Sequence, residues 1–270
     1  MPASHPNLMW GGVQVPKPFL TIPHARHTPQ PYTVTEGWSY AAERSIHGLD
    51  CQKAVDLLCV RDEPIYMPAD GWVARTYQSW LTEITYRGKR LGYGLGMWLL
   101  TLHALPDQPE VFWWTKIAHL SWIDPTIYYL RPTQDGDGDW HEPDALYVPD
   151  SQLAQIFSYR KRGDLVATAG DTGIEWGYRD DFNPVTGQVV PRTSFPSWDL
   201  DLHIHFEVYR RKNGSEVGTL DAERICIDPF GLYGQVRADA PLYKTGALGP
   251  GHVFLTNAQG QLLHATDLSE

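Results

Sequence analysis

The clearest periodicity in the chain runs from Asp199 to Tyr209, where Leu202, Ile204 and Phe206 alternate with His203 and His205. A period of two predicts a strand that turns its apolar residues to one face and both imidazoles to the other. Apolar runs bounded by turn residues predict further strands over 54–60, 96–103 and 111–120, and a strand pair over 64–74 that turns at Asp70-Gly71. Helical spacing behind an Asp/Ser start is confined to 150–159. A hairpin is expected around 257–260. Residues 1–35 are rich in Pro, His and Thr without apolar periodicity and read as an extended arm. The pattern predicts a mainly β chain with long loops: an arm over 1–35, one domain over 36–234, and a small β appendix over 235–270.

Composition narrows the function classes. At 270 residues the chain is long enough to bury a real core, and its net charge of -10 opposes a nucleic-acid groove, which needs basic groups to replace phosphate counterions. No run of about 18 apolar residues occurs, and the Met1-Pro-Ala-Ser start lacks the basic and apolar segments of a classical signal peptide. A soluble protein, cytoplasmic in the producing cell and released by lysis or a specialised route, is the expectation. Cys51, Cys59 and Cys226 leave an odd thiol and describe no disulfide framework. The paired imidazoles suit a metal ligand beside a general acid or base, since neutral imidazole binds Zn2+ and exchanges protons near neutral pH. A solvent face that carries two histidines accounts for the same pattern.

The order of further segments adds to this. Pro64-Ile-Tyr-Met-Pro-Ala-Asp-Gly-Trp-Val73, Ala118-His-Leu-Ser121, Arg162-Gly-Asp-Leu-Val166 with Gly170-Asp-Thr-Gly173, His203-Ile-His-Phe-Glu207 and Ile227-Asp-Pro-Phe230 follow one another along the chain. In that order they resemble the LytM/lysostaphin-type (M23 family) zinc peptidases, over roughly 52–230. The resemblance implies an antiparallel β-sheet or sandwich with a groove, Zn2+ as cofactor, and hydrolysis of peptidoglycan cross-link peptides or similar Gly-containing peptides. Matched position by position, it implies His205 as a zinc ligand and His119 and His203 as catalytic imidazoles.

The departure lies at the first ligand pair. The family spaces these ligands as His-x-x-x-Asp, which puts Asp56 at the Asp position and Gln52 where a His belongs. An amide oxygen is a poor Zn2+ donor beside imidazole, so Gln52 predicts a weakened or absent site unless another group compensates. His47 is the first candidate to replace it, and Cys51 the second. Two readings stay open. One is a working zinc endopeptidase with Asp56, His205 and His47 as ligands. The other is a catalytically degenerate member that binds a cell-wall or protein partner without hydrolysis. A cupin barrel also uses His-x-His, but its later Glu and His do not follow here at the required spacing.

Two long segments, 122–159 and 174–198, interrupt the motif order and are expected to wall the groove. Their aromatics, Tyr128, Tyr129, Trp140, Trp176, Tyr178 and Trp198, fit either substrate stacking or packing of the loops themselves. Asp135-Gly-Asp-Gly-Asp139 suggests a Ca2+ loop by its alternating carboxylates, but the EF-hand pattern would need Glu at the position held by Leu146, and a solvated acidic turn is the simpler reading.

Overall fold

The computed structural model describes residues 9–10, 13–14, 20–21, 23, 32–36, 54–79, 82–86, 89–105, 108–143, 148–175, 180–190, 202–211, 224–227, 252–256, 262–264 and 268–269. Twelve strands join in its main sheet. In chain order they are β1 (Tyr32–Glu36), β2 (Val55–Leu58), β3 (Pro64–Tyr66), β4 (Gly71–Gln78), β5 (Gly96–Leu105), β6 (Gln108–Ile123), β7 (Tyr128–Tyr129), β8 (Ser158–Arg160), β9 (Leu165–Ala169), β10 (His203–Arg211), β11 (Arg224–Ile227) and β12 (Leu268–Ser269). Their path across the sheet is β7-β4-β5-β6-β10-β2-β1-β12; β8 pairs with β4, β9 joins β6 to β3, and β11 pairs with β10. From β4 to β1 every pairing along this path is antiparallel. The single described helix, α1 (Asp150–Ile156), buries Leu153. The described chain is thus mainly β, as its patterning predicts, and mostly antiparallel, as the resemblance implies.

Cross-strand register explains the core. Ile204 of β10 lies opposite Leu57 of β2, and Phe206 opposite Ile117 of β6, which in turn faces Leu99 of β5. These five side chains share one face and are buried. On the other face, Leu102, Trp114 and Tyr209 form a row across β5, β6 and β10, and the Trp114 and Tyr209 rings lie 5.5 Å apart. Burial on both faces makes β5 and β6 the centre of the molecule. Rows of this kind stabilise a sheet through directly opposed side chains.

Several expectations need correction. The strands around Asp70-Gly71 form, but β3 pairs with β9 and β4 with β5, so they are not a hairpin. The connection is held open instead, because the Asp70 carboxylate accepts hydrogen bonds from the Arg162 amide and the Tyr159 hydroxyl. The helix stops at Ile156, since Phe157 is extended and leads directly into β8. The acidic turn at Asp135 is closed by its own backbone: Asp135 Oδ1 accepts the amides of Asp137 and Asp139, and Oδ2 meets His141. A carboxylate occupied in this way is a poor start for a Ca2+ cage.

The second insertion also departs from expectation over 180–190. Phe182 stacks on Tyr77 at 4.1 Å, and the buried Arg75 guanidinium donates to the Thr186 and Gly187 carbonyls while lying over Tyr129. Arg75 and Tyr77 lie opposite Leu99 and Met97, on the face turned away from the imidazoles of β10, so this stretch covers the back of the sheet. Trp140 packs edge-on against Phe182, and Tyr128 stacks on Phe157. Trp176, Tyr178 and Trp198 lie outside the described residues.

At the termini, His252–Thr256 pairs with Leu262–His264 around the predicted turn, Leu255 pairs with Leu20, and β12 pairs with β1. Cys59 is buried and unbridged, and its thiol is pushed up first by that burial and then by Glu63. Cys51 lies outside the described residues, as do His47 and Gln52.

One buried histidine belongs to the framework. His103 donates Nδ1–H to the Asp70 carbonyl, which leaves Nε2 to accept from the Thr115 hydroxyl, and burial lowers its pKa to about 4. The unfolded chain therefore binds a proton that the native state refuses between pH 6.5 and about 4. Stability from this residue is present above pH 6.5 and is lost as the pH falls through that window, by on the order of 3 kcal/mol. Denaturant titrations at pH 7 and pH 4.5 should show this loss in the wild type and a smaller one in His103→Asn.

Candidate functional site

The β10 strand places its two imidazoles as its period requires. His203 and His205 are each about one-eighth exposed, while Ile204 and Phe206 are buried beneath them. Asp56 of β2 sits directly opposite His205 in register, its carboxylate almost wholly buried. One of its oxygens lies 3.1 Å from His205 Nδ1, and the other 3.8 Å from His203 Nε2. The second ring nitrogen of His205, Nε2, lies 3.0 Å from Glu207, two residues on along the same face. His205 is thus held between two carboxylates.

His119 reaches the same place by a different device. Between β5 and β6 the register gains a residue, since Met97 faces Leu120 but Leu99 faces Ile117. His119 is in the surplus stretch with a left-handed φ of 63°, an uncommon conformation for a residue with a Cβ. The bulge brings its ring to a centroid distance of 4.9 Å from His203 and 6.0 Å from His205. Nδ1–H donates to the Thr172 carbonyl at 3.0 Å, which fixes the tautomer and leaves Nε2 as the acceptor nitrogen.

The Gly170-Asp-Thr-Gly173 turn is locked to the sheet in order to make that contact. The Thr172 hydroxyl donates to the Leu120 carbonyl and accepts the Met97 amide, and Arg61 grips the Asp171 carboxylate through two nitrogens. Gly96 and Gly173, both at positive φ, pass so closely that a Cβ on Gly173 would stand 2.2 Å from the Gly96 nitrogen. No side chain fits between them.

Electrostatics separates the imidazoles. Burial, reinforced by His203 and His205, holds the His119 pKa well below its ordinary value, so the ring is neutral at pH 7. Burial also opposes charge on His205, but its hydrogen bonds to Asp56 and Glu207, with their negative charge, outweigh this and raise its pKa to about 9. Without a metal, a proton on His205 satisfies the two carboxylates. A cation placed between Asp56 and His205 Nδ1 would displace that proton, while Glu207 would keep Nε2–H in place as metal-ligating histidines require.

The structure brings together Asp56, His119, His203 and His205. Among the described residues, no three His, Cys, Asp or Glu side chains form a ready group for a metal ion. His47, Cys51 and Gln52, the residues from which the sequence would draw a third donor, lie outside the described residues. Sequence reasoning passed over two residues here. Glu207 shares the period-two face of the histidine pair and could have been found by continuing that count. Thr172 acts through its carbonyl, which no side-chain pattern announces.

No protein-family model and no curated protein matches the chain. Solved structures similar to it include peptidases. The catalytic domain of the antimicrobial peptidase lysostaphin from Staphylococcus simulans matches with a TM-score of 0.36 and 14% identity, over 73% of this chain and 89% of that one. A zinc-containing peptidase from Vibrio cholerae matches with a TM-score of 0.33 and 17% identity, over 71% of this chain. Lysostaphin in solution gives a TM-score of 0.38 and 14% identity, over 90% of this chain and 64% of that one. The chain spans only 37% of the length of the Vibrio peptidase. With similarity this distant, the chemistry must be argued from the side chains of the site.

The left-handed backbone at His119 has a measurable consequence. Glycine adopts this conformation freely and alanine does not, so His119→Gly should be more stable than His119→Ala by about 1 kcal/mol. Equal unfolding midpoints for the two variants would remove strain at this position.

Proposed function

We propose that the chain is a zinc-dependent endopeptidase of M23 type, acting on peptidoglycan cross-link peptides or similar Gly-containing peptides. The observation that carries this reading is the approach of Asp56 Oδ1 to His205 Nδ1 at 3.1 Å, with two further imidazoles, His119 and His203, beside the pair. A carboxylate and an imidazole nitrogen facing each other are hard and borderline donors that Zn2+ accepts together. Asp56 and His205 would hold the ion, with His47 the first candidate for a third donor. Bound zinc would supply Lewis acidity toward a peptide carbonyl and activate a water for attack.

The protein's own groups do the rest. His119, neutral and with Nε2 as its acceptor nitrogen, takes up a proton at that atom. His203, its ring 4.9 Å from that of His119, would donate a hydrogen bond to charge developing on the carbonyl oxygen. Asp56, 3.1 Å from His205 Nδ1 and 3.8 Å from His203 Nε2, orients the His205 ring as well as serving as a ligand. The bulge at His119 and the locked turn at Thr172 pre-position the third imidazole before substrate arrives.

The alternative, a degenerate module that binds a partner without hydrolysis, draws on Gln52 at the expected His position. Metal analysis separates the two. After zinc exposure and dialysis, the wild type should hold about one equivalent, and His205→Ala and Asp56→Ala should hold little. His119→Ala and His203→Ala should keep the metal and lose at least about a hundredfold in kcat on a Gly-rich peptide. A folded wild type that takes up no zinc would overturn the enzyme reading in favour of the binding module.

The pKa of His205 adds a pH signature. Zinc should displace its proton, so uptake should release close to one proton at pH 7 and progressively less as the pH rises through about 9. Calorimetry in buffers of different ionisation enthalpy reads this directly.

A further inference from the structure

Behind the imidazole pair lies a buried line of charge that the reaction itself does not need. Lys116 of β6 is almost wholly buried, an uncommon place for an ammonium group. It stands directly opposite Glu207 in register, with Nζ 3.9 Å from Glu207 Oε2. The same nitrogen donates to Glu142 Oε1 at 3.0 Å and lies 4.7 Å from the centre of the Trp98 ring. Glu207 meets His205 Nε2 through its other oxygen. The line therefore runs Glu142, Lys116, Glu207, His205, from the first inserted segment to the site.

We propose that Lys116 and Glu207 are positioning residues that turn His205 so that Nδ1 faces Asp56, and that Glu142 anchors this line from the 122–159 insertion. The proposal deepens the zinc-peptidase reading and rests on it for its metal readout. Each link has a physical cause. A buried lysine must be paired to remain charged, and two carboxylates surround it. One Glu207 oxygen faces Lys116 and the other lies 3.0 Å from His205 Nε2, so the carboxylate accepts Nε2–H from the ring. With Nε2 committed as donor, Nδ1 is the nitrogen left for Asp56 and a cation, the arrangement in which a second carboxylate orients a metal-ligating imidazole. The inserted segment then contributes to the site through Glu142.

Two readouts test the line on the full chain. The first is zinc affinity by chelator competition. Glu207→Leu should raise the zinc Kd ten- to a hundredfold, Glu207→Gln should recover part of that loss because its amide oxygen still accepts, and Lys116→Met should weaken binding in the wild type but add little to Glu207→Leu. Glu142→Gln, on a partly exposed side chain, should give a milder shift without risk to folding. The second readout is the Nε2 proton of His205 in 1H-15N spectra of the metal-free protein. It should appear downfield and protected in the wild type, be absent in Glu207→Leu, and move in Lys116→Met and Glu142→Gln. If folded Lys116→Met and Glu142→Gln keep the wild-type Kd within twofold and leave the resonance in place, the positioning role is wrong. If the wild type binds no zinc yet shows the resonance, its loss in Glu207→Leu and its shift in Lys116→Met, the peptidase reading fails and the positioning line stands.

Discussion

The hydrogen-bonded seat of β10 between β6 and β2 is the constraint from which the site follows. Register along these ladders sets His205 opposite Asp56 on one side and Ala118 on the other, so a carboxylate, an imidazole and the start of the bulge come into one row. A slip of one residue would turn His203 and His205 into the core and bring Ile204 and Phe206 to the surface. The buried row of Leu57, Ile204, Ile117 and Phe206 opposes such a slip. Core packing and site geometry are therefore two faces of one alignment.

Much of this was legible in the chain. The alternation from Leu202 to Phe206 predicts which face the imidazoles occupy, and the apolar runs predict strands within a few residues of those observed. The pairing partners were not legible. The Asp70-Gly71 sequence is a common hairpin signal, yet long-range contacts of Asp70 with Tyr159 and Arg162 open that turn and send β3 to β9. Local sequence encodes the bend, while partners nearly a hundred residues away decide what it connects.

The site shows the same division. His203 and His205 share the face that periodicity predicts and Asp56 lies across from His205, but the placement of His119 depends on one surplus residue in a ladder and a left-handed backbone, neither of which has a signature in Ala118-His-Leu-Ser121. The buried charge of Lys116 was hidden for a similar reason. A lysine inside Trp113-Trp-Thr-Lys-Ile117 reads as an interruption of an apolar strand until its neighbours across the sheet are known. Polar residues inside strongly apolar strands deserve a search for a cross-strand partner of opposite sign.

The glycine contact between Gly96 and Gly173 has a consequence for how this architecture can change. Two backbones that touch without a Cβ between them leave no room for gradual substitution, because the first methyl on either strains the backbone and forces the turn off the sheet. Connections beyond the locked Gly170–Gly173 turn have more freedom in length and composition than this crossing. It acts as a pivot around which new surface can be grafted, and divergence in chains of this architecture is expected to accumulate in the connections while the crossing stays fixed.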